Sequence, residues 1–283
     1  MLVRMTRALS LSYYTVPELT LAETIDVAAA AGCRYVGVRL LDGAPTDPPS
    51  ALMCDAVLRR EAVARLRDRG VGALDASAAR LRPRTRADAF VPMLDACNEL
   101  GIAHIDCSID DPDAARRVET LSSLCALAHA RDLRVEIEFV PWMAVGTLLD
   151  AAALIRAIGA PNLGILVDAL HLDRSGTPPE AIRELPADWF RIAQICDAPA
   201  LVDRSKADQI RVATTARCLP GEGVLPLAAL VEALPPDLPL ALEIPMEARA
   251  RHSGALDRVK AAVAATRALL ESVAAKHACA RAT

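Results

Sequence analysis

One kind of punctuation recurs along this chain and limits what it can fold into. Gly32 in AAAAGCRYVGV, Gly70 in RDRGVGAL, Gly101 in NELGIAHI and Gly159 in RAIGAPNLGILV each end a run rich in Ala, Leu and Arg. Each is followed within a few residues by a short apolar segment. A glycine at that place supplies the left-handed conformation that closes a helix. The stretch ARDLRVEI does the same job near 132 without a glycine.

Extending the pattern predicts strands near 8–12, 35–41, 71–76, 103–107, 133–139, 163–168, 190–196 and 238–243. Helices fall near 20–31, 56–69, 86–100, 113–131, 146–158, 179–184, 226–234 and 255–275. Thr20 and Glu23 form a capping box for the first helix. The strands are short and apolar on both faces, as parallel strands covered by helices are. Eight such units in 283 residues predict an α/β fold, a (β/α)8 TIM barrel in a single domain spanning 1–283. A doubly wound open sheet is the alternative, but neither GxGxxG nor GxxxxGK[ST] follows a strand. The tail after about 276 is expected to fray.

Composition excludes several function classes. The chain is 53% hydrophobic and 24% charged, enough for a large core and unlike a disordered protein. A net charge of −4 and a pI near 5.8 argue against nucleic acid as a partner. No apolar run approaches the ~20 residues that cross a bilayer. Eight cysteines without CxxC or Cys/His spacing read as reduced, buried thiols. The N-terminal segment has no secretory pattern, so a cytoplasmic protein is expected.

In a barrel of this kind the chemistry sits where strands end. Strand five ends at Glu138, strand six at Asp168, strand seven near Gln194 and strand eight at Glu243. Four consecutive strands thus carry an oxygen-bearing side chain to one edge. Structural ion pairing with arginines is the alternative for each residue alone. The four together predict a divalent cation held by Glu138, Asp168, Gln194 and Glu243. Three carboxylates and an amide oxygen suit Mn²⁺ or Mg²⁺, with Co²⁺ a further choice; zinc more usually recruits His or Cys. Glu136 lies deeper on the same strand face and is expected in a structural pair.

His171, three residues beyond Asp168 in VDALH, is placed to reach a substrate oxygen as acid, base or donor. The segment 197–225 reads as one long connection carrying Arg204, Lys206, Arg211 and Arg217. Arg217, ahead of the PGEG turn, is the best of these to bind substrate. Arg39, Asp75 and Asp106 near strand ends are candidates for the pocket wall, with structural pairing as the alternative. His104, His129, His252 and His277 have no such context.

The motifs EF-P at 138–141, VDALH at 167–171, AQICDAP at 193–199, RCLPGEG at 217–223 and LEIP at 242–245 resemble a known family. It is the sugar phosphate isomerase/epimerase group of the xylose isomerase-like barrels, which share their fold with apurinic-site endonucleases. The resemblance implies one divalent metal on Glu138, Asp168, Gln194 and Glu243, with His171 and Arg217 touching substrate. It further implies Glu138 and Glu243 as an acid/base pair flanking a keto-sugar or polyol, and a homo-oligomer, since relatives are often dimers or tetramers.

Two departures bear on the reaction. Ketose epimerases usually carry histidine where Gln194 stands; glutamine there looks more like inosose dehydratase and bacterial 3-dehydroshikimate dehydratase. Yet the dehydroshikimate enzymes carry a histidine soon after the strand-five glutamate, where this chain reads PWMAVG. The endonuclease reading needs more histidines than these positions offer. The expected activity is therefore a metal-dependent isomerase or epimerase. The alternatives are a lyase (dehydratase or decarboxylase) on the same metal site and a metal-free binding barrel.

Overall fold

A computed structural model describes residues 7–41 and 50–280. Eight strands close a parallel barrel in sequence order: β1 (Leu9–Leu11), β2 (Tyr35–Arg39), β3 (Gly72–Leu81), β4 (His104–Ile109), β5 (Arg134–Glu138), β6 (Leu163–Asp168), β7 (Phe190–Ile195) and β8 (Leu240–Leu242). The open-sheet alternative is excluded, because β1 pairs with β8 through Leu9↔Leu240 and Leu11↔Leu242.

The helices are α1 (Leu21–Ala31), α2 (Ala51–Cys54), α3 (Ala56–Arg69), α4 (Val91–Leu100), α5 (Ala114–His129), α6 (Leu148–Ile158), α7 (Ala169–Arg174), α8 (Lys206–Thr215), α9 (Leu227–Ala233), α10 (Glu247–Ala250) and α11 (Ala255–Ala280). Gly32, Gly70, Gly101 and Gly159 close α1, α3, α4 and α6 at φ of 79°, 66°, 70° and 65°. After α5 that work falls to Asp132, at φ 57°. Thr20 and Glu23 form the expected capping box on α1.

Three expectations need correction. The segment 197–225 is not one open connection, since it contains the ten-residue α8. The predicted helix at 179–184 is a 3-10 turn, Pro179–Glu184. The last helix continues past 275 to Ala280. Of the tail, residues 281–283 lie outside the described residues, as do 42–49 of the connection after β2. Among the described residues no helix is long and apolar enough to cross a membrane. The seven described cysteines are all free thiols, with Cys54 exposed and Cys218 half-buried.

The main core lies between the barrel and its helices and includes Phe90, Ile105, Leu121, Val135, Leu148 and Val259. Inside the barrel a smaller plug of Leu74, Leu166, Ile192 and Ala241 packs against Tyr35. Side chains two apart on a strand share a face. Residues two beyond Leu166, Ile192 and Ala241 are Asp168, Gln194 and Glu243, so the register that builds the plug also aims these three groups into the mouth.

A polar layer shares the interior. Glu136 is fully buried, and its Oε1 lies 2.8 Å from His104 Nδ1, the structural pair expected of it. A Cβ on Gly164 would stand 2.2 Å from Glu136 Oε2 and 2.8 Å from the Trp189 carbonyl, so only glycine on β6 leaves room for this glutamate. Asp75 and Asp106 are buried nearby, with Ser77 Oγ donating to Asp106 Oδ2 at 2.5 Å. Two touching carboxyls in a low dielectric cannot both ionise. Burial first, with the Asp75 charge beside it, pushes Asp106 well above the usual carboxylate range, and burial raises Asp75 to about 6.

Candidate metal and active site

Strand ends and one excursion assemble the mouth. Asp168 and Gln194 are register partners on β6 and β7 and so lie side by side. Glu138 closes β5, and Glu243 follows β8 directly. Asp168 also caps α7: its Oδ1 accepts the His171 backbone N–H at 3.0 Å, which turns the chain so that His171 comes back over the mouth. There His171 Nε2 lies 3.9 Å from Glu138 Oε1, and its ring meets Trp142 edge-on at 5.2 Å.

The excursion between β7 and β8 delivers Arg217. Asp197 ties its two ends together, accepting backbone N–H groups from Ala198 (2.8 Å), Leu225 (2.9 Å) and Gly221 (3.0 Å). Antiparallel bridges Asp197↔Cys218 and Ala216↔Met246 bracket Arg217. Its guanidinium is buried and donates to Asp168 Oδ2 at 2.5 Å, Glu243 Oε1 at 3.1 Å, the Glu243 carbonyl at 3.2 Å and the Ala213 carbonyl at 2.9 Å. Glu243 Oε2 further accepts from Gln194 Nε2 at 2.7 Å and Ser12 Oγ at 3.1 Å.

The structure therefore gathers all six residues singled out in the sequence into one cavity of about 350 Å³, except that Asp168 stands just behind its wall. Arg217 reaches the cavity, but most of its donors are occupied by the carboxylates it joins. Sequence reading missed Ser12, Trp142 and Arg80 at this site. Ser12 closes the turn after β1, where a lone serine gives no signal.

The electrostatics are those of an acidic cluster with too little positive charge. Burial, then the charges of Glu243 and Asp168, raises Glu138 to about 8. Burial raises Glu243 to about 7 despite Arg217. Burial works against ionisation of Asp168 too, but Arg217, His171 and their hydrogen bonds hold its pKa below the usual carboxylate value. Burial lowers His171 to about 4, so it is neutral at physiological pH.

This donor set fits a divalent cation. Ligand atoms of Glu138, Asp168 and His171 lie within 4.8 Å of one another. Gln194 Oε1 and His171 Nδ1 are buried with no partner among the described residues, and a buried acceptor left unmade is costly. His171 thus stands beside Glu138 and Asp168 in the geometric cluster, where the sequence reading expected Gln194 and Glu243. A set with one imidazole also lies closer to zinc's preferences than the all-oxygen set did.

The sequence profile of the xylose isomerase-like TIM barrel matches residues 25–269. The chain belongs to that family. Several relatives of this xylose isomerase-like barrel have known activities. It is 33% identical over 115 residues to a 3-dehydroshikimate dehydratase of Pseudomonas putida, across 40% of this chain and 18% of the dehydratase. It is 25% identical over 158 residues to an inosose isomerase of Bacillus velezensis, across 51% of this chain and 53% of the isomerase. These matches thus span about half or less of each relative. The fold is shared almost end to end with the IolI protein solved with a bound zinc atom (TM-score 0.79, 17% identity, 94% of this chain and 98% of that one). It is also shared with D-psicose 3-epimerase solved with D-fructose (TM-score 0.71, 14% identity, 93% and 99%).

Proposed function

We propose that this barrel is a divalent-metal-dependent isomerase or epimerase of a small keto-sugar or related polyol, working through an enediolate. The carrying observation is that Glu138 and Glu243, two carboxyls raised toward neutral pH, line one cavity together with the unpartnered oxygen of Gln194. Glu138, Asp168, Gln194 and Glu243 are the proposed metal ligands, with His171 able to take a place among them. A cation bound there supplies a Lewis acid that polarises the substrate carbonyl and favours charge developing on its oxygen.

The chain's own residues do the proton work. Glu138 has one described partner, at 3.9 Å, and beside a bound cation, which would favour its ionised form, its carboxylate would be open to take the proton α to the carbonyl. Neutral His171 faces the same oxygen from Nε2 and either receives that proton or donates to a substrate oxygen. Trp142 fixes the plane of its ring. Glu243 returns a proton on the opposite side. Arg217 holds Asp168 and Glu243 at a fixed separation.

One observation favours a lyase as the second reading. Glu243 already accepts from Ser12, Gln194 and Arg217, which leaves Glu138 and His171 as a one-sided acid/base pair. Such a pair suits expulsion of a β-hydroxyl as water, and a dehydratase stands among the sequence relatives.

The two readings separate in D₂O with Mn²⁺ and a panel of ketohexoses, inososes and 3-dehydroshikimate. Solvent deuterium in a product of unchanged composition supports isomerisation; loss of one water supports the lyase. Purified protein without divalent metal, and without a thermal shift on adding Mn²⁺, would overturn both in favour of a binding barrel.

A further inference from the structure

The cavity has a second charged side that the metal-site reading leaves unexplained. In a closed barrel of eight strands in sequence order, β3 stands opposite β7. Arg80, near the end of β3, therefore faces Gln194 across the mouth, and both line the cavity. Tyr13 and Tyr14 continue that wall, and Arg39 stacks on Tyr13 with its guanidinium carbon 5.4 Å from the ring centre.

Arg80 and Arg217 differ in what they already hold. Arg217 has most of its donors on two carboxylates and two carbonyls. Arg80 makes one long hydrogen bond, Nε to Ser108 Oγ at 3.4 Å, and has no carboxylate partner among the described residues. A half-buried guanidinium with unused donors, beside a cavity, is a site for an oxyanion. Glu138 and Glu243 line the same cavity from β5 and β8, so an anionic substrate is favoured in the orientation that sets its negative group on Arg80 rather than against the acids.

We infer that Arg80 binds a carboxylate on the substrate, so that the molecule turned over is a cyclic or short-chain hydroxy-keto acid rather than a neutral sugar. This rests on the functional reading above and narrows its substrate class. Carboxylate is chosen over phosphate because Arg217 is already engaged and one guanidinium balances a single negative charge, whereas a phosphate ester would bring about −1.5 to −2 into a cavity that also holds Glu138 and Glu243. The reading also moves substrate recognition from Arg217 to Arg80.

The test uses full-length protein loaded with Mn²⁺ and two unreactive ring polyols, quinate, which carries a carboxylate, and myo-inositol, which does not. Calorimetry should find quinate bound at least ten-fold more tightly by wild type. Arg80→Gln should erase that preference, Arg80→Lys should keep part of it, and Arg204→Gln should leave it unchanged. The Gln variant should melt with wild type, since it loses only one long hydrogen bond. Equal binding of the two polyols, binding of neither, a preference that survives in Arg80→Gln, or tighter binding of glycerol phosphate than of quinate would each overturn the inference. Metal content of the same samples keeps the two claims apart. A preparation that takes up no Mn²⁺ sinks the functional reading whatever it prefers; one that takes up Mn²⁺ without preference sinks only the carboxylate assignment.

Discussion

Replacing Arg217 by Gln tests the electrostatic account of the site most directly. The side chain is 2% exposed, and Asp168, its nearest partner, is fully buried. Removing the guanidinium leaves Asp168 and Glu243 facing each other and Glu138 with no buried cation between them. Breaking a buried ion pair from one side typically costs about 3–5 kcal/mol. In a domain of this size each kcal/mol lowers Tm by roughly 2–4 °C, so a fall on the order of 10 °C is expected. The loss should be partly recoverable. A divalent cation binding the same carboxylates at 100 times its Kd returns about 2.7 kcal/mol. Adding Asp168→Asn should also recover part of the loss, because the double variant buries one charge fewer and so costs less than the sum of the singles. Scanning calorimetry of the four proteins of this cycle, in EDTA and in Mn²⁺, reads all three effects. Strict additivity of the two substitutions, or a melt within about a degree of wild type, would refute the proposed charge balance.

Further outcomes follow from other parts of the structure. Glu138→Gln should lower kcat by a factor of roughly 10²–10⁴ while circular dichroism stays unchanged; full turnover would remove Glu138 from the chemistry. Asp75 has a folded pKa of about 6 against an ordinary 3.8, so its protonated form favours folding. That stability is complete below about pH 3.8 and is lost as pH rises through about 6. Asp75→Asn should therefore flatten the decline in Tm between those values and raise Tm at pH 8, and an unchanged profile would count against a carboxyl held protonated by burial. Gly164→Ala pushes a methyl group to 2.2 Å from Glu136 Oε2 and 2.8 Å from a backbone carbonyl. It should cost about 1–3 kcal/mol, read as a lower urea midpoint with an unchanged slope.

The barrel was legible in the sequence because its signals are local. A left-handed residue must close each helix, and Gly32, Gly70, Gly101, Gly159 and even Asp132 announce themselves by their neighbours. Period two along each strand then carries Asp168, Gln194 and Glu243 to one edge without any long-range information. Helix α8 was harder to see, because KADQIRVATT mixes β-branched residues into a weakly amphipathic run. Its one clear sign was Ser205, whose side chain accepts the Asp208 N–H. The partners of Arg217 were not readable either, since they are fixed by two antiparallel bridges between distant segments. Arg80 escaped notice because β3 runs to Leu81, five residues beyond the predicted end at 76, and that extension carries it to the rim.

The clasp at Asp197 has one more consequence. Because a single carboxylate fastens both roots of the excursion, the stretch from Pro199 to Ser205 at its tip can vary in length and character while Arg217 stays where it is. Different tips can thus be grafted onto an unchanged barrel mouth, with Asp197 as the anchor that any such exchange must keep.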